Sequence, residues 1–322
     1  MAHKRICFSI PCYNEKENII PMVEQIFALF QKQLSYYDCT IQIIDNCSTD
    51  GTVEIIRQLC SKYSNVRAIL NAKNFPGTSG YWGLLSSEGD CTISIPCDFQ
   101  VPVELIPLML DRWEKGAKIV CMTKKGSEEN PLMLFVRKLY YKVSSLMSDV
   151  EIIPGFSGYG LYDKSFLDLC RTIDDRVVSF GQLVATLGYD REQLQYIEKK
   201  RKTGKSKNNL FSLIQISIVR ITNASTILPR FAMALGVILG MLSLLIGLVY
   251  FVLKMLFWYQ YPAGLTPVLL GVFFLGGIQL FFIGIIGEYI IKANIRLMNR
   301  PLVIERERLN FNTTNSVSRE GD

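Results

Sequence analysis

The sequence predicts an α/β domain, a parallel sheet with helices on both faces, followed by a two-helix transmembrane hairpin. Three observations carry this. From residue 4 to about 125, short apolar runs alternate with amphipathic ones, the pattern of a parallel sheet covered on both sides. Two stretches, between Arg230 and Lys254 and between Lys254 and Glu288, contain no charged residue, and a run of roughly 20 apolar residues crosses a bilayer core of about 30 Å. Finally, polar residues gather where each strand is expected to end: Asn14 and Glu15, Asp45 and Asn46, Asn71 and Asn74, Asp98 and Gln100, Lys124 and Lys125. Ligands of such sheets bind beyond the carboxyl ends of the strands.

The elements follow in order. "RICFSIPCYN" reads as a strand, and "EKENIIPMVEQIFALFQKQL" as a helix with Ile19, Val23, Ile26, Phe27 and Phe30 on one face. "CTIQIIDNC" is the second strand, and Ser48, Thr49 and Asp50 mark the start of the helix after it. "VRAIL" is the third strand and "TSGYWGLLSSEG" a short helix. "CTISIP" is the fourth strand, which releases one acid, Asp98, into a turn. A helix opened by Pro102 follows, and "KIVCMT" is a fifth strand. Residues 132–148 and 210–229 read as amphipathic helices suited to a membrane interface or to packing on the domain.

The segment joining the two apolar runs holds Trp258, Tyr259 and Tyr261, aromatics that suit a headgroup layer. Basic residues flank the outer ends (Arg220 and Arg230; Lys292, Arg296, Arg300, Arg306 and Arg308), whereas Lys254 alone is basic at the hairpin end. The positive-inside rule places both termini in the cytoplasm. The expected divisions are a cytoplasmic domain over 1–209, a juxtamembrane helix over 210–230, spans over 231–257 and 266–291, and a cytoplasmic tail over 292–322.

Composition narrows the chemistry. With 49% apolar and 20% charged residues, the chain is apolar for a soluble enzyme. Nine cysteines lie scattered without a C-x-x-C pair, which points to reduced thiols. One histidine, His3, removes His-based triads and His-ligated zinc. The net charge of +6 is concentrated in "KKRKTGKSK" (199–207) and the tail. No nucleic-acid motif accompanies it, so phosphate on lipids or nucleotides is the expected partner rather than nucleic acid.

"SIPCYNEKENI", "IIDNCSTDGT", "NAKNFPGTSGYWGLLSSEGD", "DFQVPVELI", "KRKTGKSKNN" and "GGIQLFFIGIIGEYIIKANIRLMNRPLVIE" stand in one order. In this they resemble family 2 glycosyltransferases, most of all the polyprenyl-phosphate branch of bactoprenol glucosyltransferases and dolichol-phosphate mannose synthases. The resemblance spans residues 4 to about 305. It implies a GT-A (Rossmann-like) fold, a nucleotide-sugar donor, foremost a UDP-sugar, and Mg²⁺ or Mn²⁺. It further implies an undecaprenyl-phosphate acceptor at the inner membrane of a bacterium and inversion at the sugar carbon. The product would be a lipid-linked hexose, glucose foremost, for modification of a cell-surface glycan such as O-antigen.

By the same resemblance, Pro11, Tyr13 and Glu15 face the base and ribose, and Asp45, Asn46 and Asn74 complete the donor site. Tyr13 offers a flat face and Glu15 an acceptor, although Asn14 and Glu15 also suit a helix cap, as do Asp45 and Asn46. Asp98 is the catalytic acid of the site, and Asp98 with Gln100 would ligate the metal. Pro96 stands where a second carboxylate is common, so the donor phosphates and water must complete the metal shell. Arg201, Lys205, Ser206 and Lys207 could neutralise a departing nucleoside diphosphate, or the block could serve as a basic linker drawn to headgroups. Lys124, Lys125, Arg137 and Lys138 are candidates for the acceptor phosphate by position. Pro76 precedes Gly77 where relatives often have glycine, and the segment around Gly160 resembles one that often carries an arginine near that position, so the glycine implies one phosphate-facing charge fewer.

Two other functions remain open to the sequence. A processive polysaccharide synthase would share the fold but needs a Q-x-x-R-W motif and more spans, which this chain lacks. A catalytically silent scaffold binding nucleotide sugar or lipid would account for Pro96 and Gly160 but has less need of the basic block. Small residues at Gly236 with Gly240 and Gly284 with Gly287 permit close helix packing and hence a homo-oligomer.

Overall fold

The computed structural model describes residues 3–125, 153–173, 180–198, 265–297 and 300–311, with isolated positions between 235 and 257. The chain divides into two compact units, one of residues 1–138, 152–208 and 300–322, the other of 139–151 and 209–299.

The first unit is built on the expected parallel strands β1 (Arg5–Cys12), β2 (Asp38–Asp45), β3 (Val66–Asn71) and β4 (Cys91–Ser94). Helices α1 (Ile19–Gln33), α2 (Thr52–Lys62) and α3 (Ser79–Leu85) connect them. α1 starts later than its apolar pattern suggests. Pro21 has no N–H to bond Glu17, so it is confined to the first turn, and Asn18 and Ile19 instead donate to the Glu15 carbonyl. The helix expected after Pro102 divides for the same reason. Pro107 cannot donate to Val103, so residues 103–105 form a 3₁₀ turn and α4 runs Ile106–Glu114.

The sheet continues through β5 (Ile119–Lys124), β6 (Phe156–Asp163), α5 (Lys164–Thr172), α6 (Phe180–Thr186) and β7 (Arg191–Tyr196). A last strand, β8 (Glu305–Leu309), comes from the C-terminal segment. The order is β7-β5-β6-β4-β1-β2-β3-β8. The expectation of a parallel sheet is corrected here: β6 runs antiparallel to β4 and β5, and β8 antiparallel to β3, so the sheet is mixed. Within the segment expected as a C-terminal tail, residues 305–309 close the β3 edge.

Period-two alternation sets the two cores. Ile6, Phe8 and Ile10 of β1, with Ile41 and Ile43 of β2, pack under α1 and α2, where Phe8 meets Phe30 edge-on at 5.5 Å. The other face carries Tyr162, Phe166, Leu183 and Tyr81. There α3 lies close on the sheet through Gly83: a Cβ at that position would meet Ile44 Cδ1 at 2.6 Å and Ser9 Oγ at 2.7 Å. All nine cysteines are free, and burial pushes Cys121 and Cys170 up to about 12. These thiols act as small hydrophobes.

At the amino ends of the strands, Asp163 caps α5. Its carboxylate accepts from the Ser165 N–H at 2.9 Å and the Trp113 indole at 2.7 Å. Burial works to raise the Asp163 carboxyl, but those hydrogen bonds outweigh it and hold the group below its ordinary value. Glu114 is also held low, first by the Lys4 ammonium, against a smaller opposing effect of burial. Depressed carboxylates contribute stability above their unfolded pKa and lose it as pH falls through the folded one. Thermal melts of the full chain should therefore be flat from about pH 7 to 5 and fall below about pH 4. Asp163→Asn should flatten that fall; an unchanged acid slope would contradict it.

In the second unit, α7 (Leu265–Leu297) is 33 residues long. Its stretch Phe274–Ile291 has mean hydropathy 1.8 and no buried residues. Among the described residues it is the one helix long and apolar enough to cross a membrane. The described positions from 235 to 256 are helical, but the rest of the expected first span lies outside the described residues, as do the helices expected at 132–148 and 210–229.

Candidate active site

The carboxyl ends of β1 and β2 are joined by side chains that hold backbone. Asn14 adopts a left-handed conformation, φ 58°. Its N–H donates to Ser48 Oγ at 2.9 Å, and its Oδ1 accepts from the Thr49 N–H at 2.8 Å. The Glu15 N–H donates to Thr52 Oγ1 at 3.1 Å. Asp45 is fully buried and its Oδ2 accepts from the Ser48 N–H at 3.0 Å, so it shapes the turn before α2. The start of α2 itself falls to Asp50, whose Oδ1 accepts from the Thr52 N–H. Burial would raise the Asp50 carboxyl, yet the bonds from Thr52 and Lys16 keep it low. Glu15 Oε2 accepts from Asn18 Nδ2 at 2.6 Å, which ties it to the entry of α1.

Pro11 sits inside a central strand without cost. The Asn46 N–H donates to the Cys12 carbonyl, so Cys12 faces β2 and the alternate residue, Pro11, faces β4. Pairing with β4 ends at Ser9 and Ser94, so Pro11 lacks its N–H where no strand needs one. Beyond it Tyr13 is 37% exposed.

Asn46 ties three segments together. Its Oδ1 accepts from the Phe75 N–H at 2.8 Å and from Asn71 Nδ2 at 3.1 Å, while its Nδ2 donates to Asn74 Oδ1 at 2.7 Å. An aspartate here could not donate to Asn74. Asn71, fully buried, also donates to Ser79 Oγ at 3.0 Å. Asn46→Ala should destabilise the chain by about 2 kcal/mol, since it leaves the Phe75 and Asn71 donors unpaired. A denaturant midpoint equal to wild type would contradict this. Gly77 has φ 83° with open space around it, so it serves as a turn glycine.

Asp98 is buried, 8% exposed, at the tip of β4. Its Oδ1 accepts from the Gln100 N–H at 3.2 Å, across Phe99 at φ 59°. The thiols next to it report its neighbours. Burial raises Cys97 most, followed by the charges of Glu15 and Asp98; burial raises Cys12 most, followed by Cys97, Asp45 and Glu15. Glu15 thus acts on both thiols, with Asp98 beside Cys97 and Asp45 Oδ1 at 3.8 Å from the Cys12 sulfur. No group of three or more His, Cys, Asp or Glu positioned to hold a metal occurs among the described residues. The hard-oxygen pair of Asp98 and Gln100 fits a cation that takes most of its ligands from phosphate and water.

On the other half of the edge, Lys124 ion-pairs with Glu198, a partner the sequence reading missed because Glu198 adjoins a block read for its positive charge. The Lys125 N–H donates to the Tyr196 carbonyl at 2.9 Å, and its side chain is exposed. Burial first, and Glu198 next, push the Tyr196 phenol up to about 12; Asp98 adds to the same effect. Asp98 therefore lies within electrostatic reach of this half. Arg137, Lys138, Arg201, Lys205, Ser206 and Lys207 lie outside the described residues. Gly160 pairs with Ser94 and Cys121, and a Cβ there would meet the Val120 carbonyl oxygen at 2.1 Å. Sheet packing therefore requires a glycine there.

A mixed α/β sheet with acids and amides at its carboxyl edge is the GT-A, Rossmann-like glycosyltransferase fold. Residues 7–167 match the family described as Glycosyl transferase family 2, and the chain belongs to that family and is a glycosyltransferase. It is 28% identical over 302 residues to the SfII prophage-derived bactoprenol glucosyl transferase of Shigella flexneri, covering 93% of this chain and 97% of that protein. An uncharacterised glycosyltransferase of Synechocystis is 29% identical over 301 residues, covering 92% of each. Among solved structures, glucosyl-3-phosphoglycerate synthase from Mycobacterium tuberculosis, in complex with Mn²⁺, UDP-glucose and glycerol 3-phosphate, is 18% identical with a TM-score of 0.46. It covers 68% of this chain and 78% of that one.

Proposed function

We propose that the protein transfers one hexose, glucose foremost, from a UDP-sugar to undecaprenyl phosphate at the cytoplasmic face of a bacterial inner membrane. The acids at the carboxyl ends of β1, β2 and β4 carry the donor half of this reading: Glu15 bonded to Asn18, Asp45 at 3.8 Å from the Cys12 sulfur, and the buried Asp98. The acceptor half is supported by likeness to proteins named bactoprenol glucosyl transferase over most of the chain and by the apolar helix α7. A second span over 231–257 would complete a hairpin with both termini cytoplasmic.

In this reading Tyr13 lies against the base and Pro11 shapes its pocket. Glu15, Asp45 and Asn46 serve the nucleoside, and Asn74 reaches the donor from the loop after β3. Asp98 and Gln100 would hold Mg²⁺ or Mn²⁺, whose charge offsets that of the diphosphate. Arg201, Lys205, Ser206 and Lys207 stabilise the leaving diphosphate as its charge develops. Lys125, Arg137 and Lys138 attract the acceptor phosphate, and Lys124 does so while sharing its charge with Glu198.

A phosphate monoester has its second pKa near about 6. At neutral pH it is already the nucleophile, so no general base is needed, consistent with a chain whose one histidine is His3. The protein's work is positioning the phosphate behind the anomeric carbon, with inversion there, and stabilising the departing diphosphate. Assay of purified protein with UDP-glucose and either undecaprenyl phosphate or undecaprenol tests this. Transfer to the phosphate alone is expected; equal transfer to the alcohol would contradict it.

A further inference from the structure

After α7 the chain returns to the first unit and fastens itself to the segment that follows β3. The Ile304 carbonyl accepts from the Ala72 N–H at 2.9 Å, at the start of the loop that bears Asn74. Glu305 Oε1 accepts the Trp82 indole N–H at 2.6 Å, in α3 just past the loop's other end. Arg308 orients the same carboxylate, with Nε at 2.6 Å from Oε2 and Nη2 at 2.8 Å from Oε1. Farther on, Glu307 bonds Arg57 Nη1 at 2.8 Å, and Asn310 Nδ2 donates to the Cys60 and Val66 carbonyls at 2.6 and 2.8 Å.

Covering a sheet edge would require only the β3–β8 ladder. The Ile304 bond extends that ladder by one residue past Asn71, but the Glu305 carboxylate leaves it for Trp82, just past the far end of the 72–78 loop, which Asn46 holds from within through Asn74 and the Phe75 N–H. We propose that Glu305 is a positioning residue for donor binding: through Trp82 it fixes α3, and with it the loop that presents Asn74. This rests on the reading of that loop as a donor contact.

Titration of UDP-glucose into the full-length protein in nanodiscs tests this. Glu305→Ala should weaken binding about tenfold, the loss of one charge-assisted hydrogen bond, with little change in melting temperature. Glu305→Gln, which keeps an acceptor for the indole, should restore affinity to within about twofold. Trp82→Phe should reproduce the alanine variant, and the double variant should add nothing; it also serves if Glu305→Ala does not fold. Asn74→Ala separates the two ideas. If it weakens binding and neither Glu305→Ala nor Trp82→Phe does, the positioning role is overturned and the donor loop stands. If Asn74→Ala binds like wild type, or wild type does not bind UDP-glucose, the donor-loop reading falls and the positioning role with it. Loss of affinity that Glu305→Gln fails to rescue also overturns it.

Discussion

Asp98→Asn is expected to lower sugar transfer by about 1000-fold while leaving the melting temperature near wild type. Asn is the informative change because the Asp98 Oδ1 also accepts from the Gln100 N–H. An amide oxygen keeps that turn, so a loss of activity reports the missing charge and not a collapsed loop. Asp98→Ala should be as inactive and somewhat less stable. The same residue makes a second measurable statement. With Pro96 in place of a second carboxylate, Mn²⁺ should bind weakly to the free protein and tightly once a nucleoside diphosphate supplies further oxygens. Tight Mn²⁺ binding without nucleotide, or full activity of Asp98→Asn, would contradict the role assigned to Asp98.

Gly160→Ala is expected to destabilise the first unit by more than about 4 kcal/mol, enough to remove folded protein from solution. The added Cβ would stand 2.1 Å from the Val120 carbonyl oxygen at φ +153°. Val120 is held in β5 between β6 and β7, so it has no direction in which to yield. Gly160→Arg should fail at least as completely. Soluble Gly160→Ala with a melting temperature within a few degrees of wild type would contradict the account of the β4–β6–β5 seam.

What could be read without the structure divides along physical lines. β1 to β5 were legible because buried parallel strands are apolar on both faces, and the polar residues that follow β1, β2 and β4 because they interrupt that apolar pattern. β6 was not assigned because Gly158 and Gly160 weaken strand propensity, and here close strand approach demands a glycine. β8 was hidden because "ERERL" has no apolar face; its place is set by partners such as Trp82, 223 residues away from Glu305. Glu198 escaped for a similar reason: its ion pair with Lys124 joins the ends of two strands that are neighbours only in the folded sheet. The expected roles of Glu15 and Asp45 were mixed with their use as turn and helix caps. The structure shows both bonded locally, so any nucleoside contact they make comes from groups already held in place.

The most direct test of the central claim is the mass of the lipid product. Full-length protein in nanodiscs, supplied with UDP-glucose, Mg²⁺ and undecaprenyl phosphate, should yield undecaprenyl phosphate carrying one hexose, and no longer chains. A polymer of sugars on the lipid, or no lipid-linked sugar from any nucleotide-sugar donor, would contradict it.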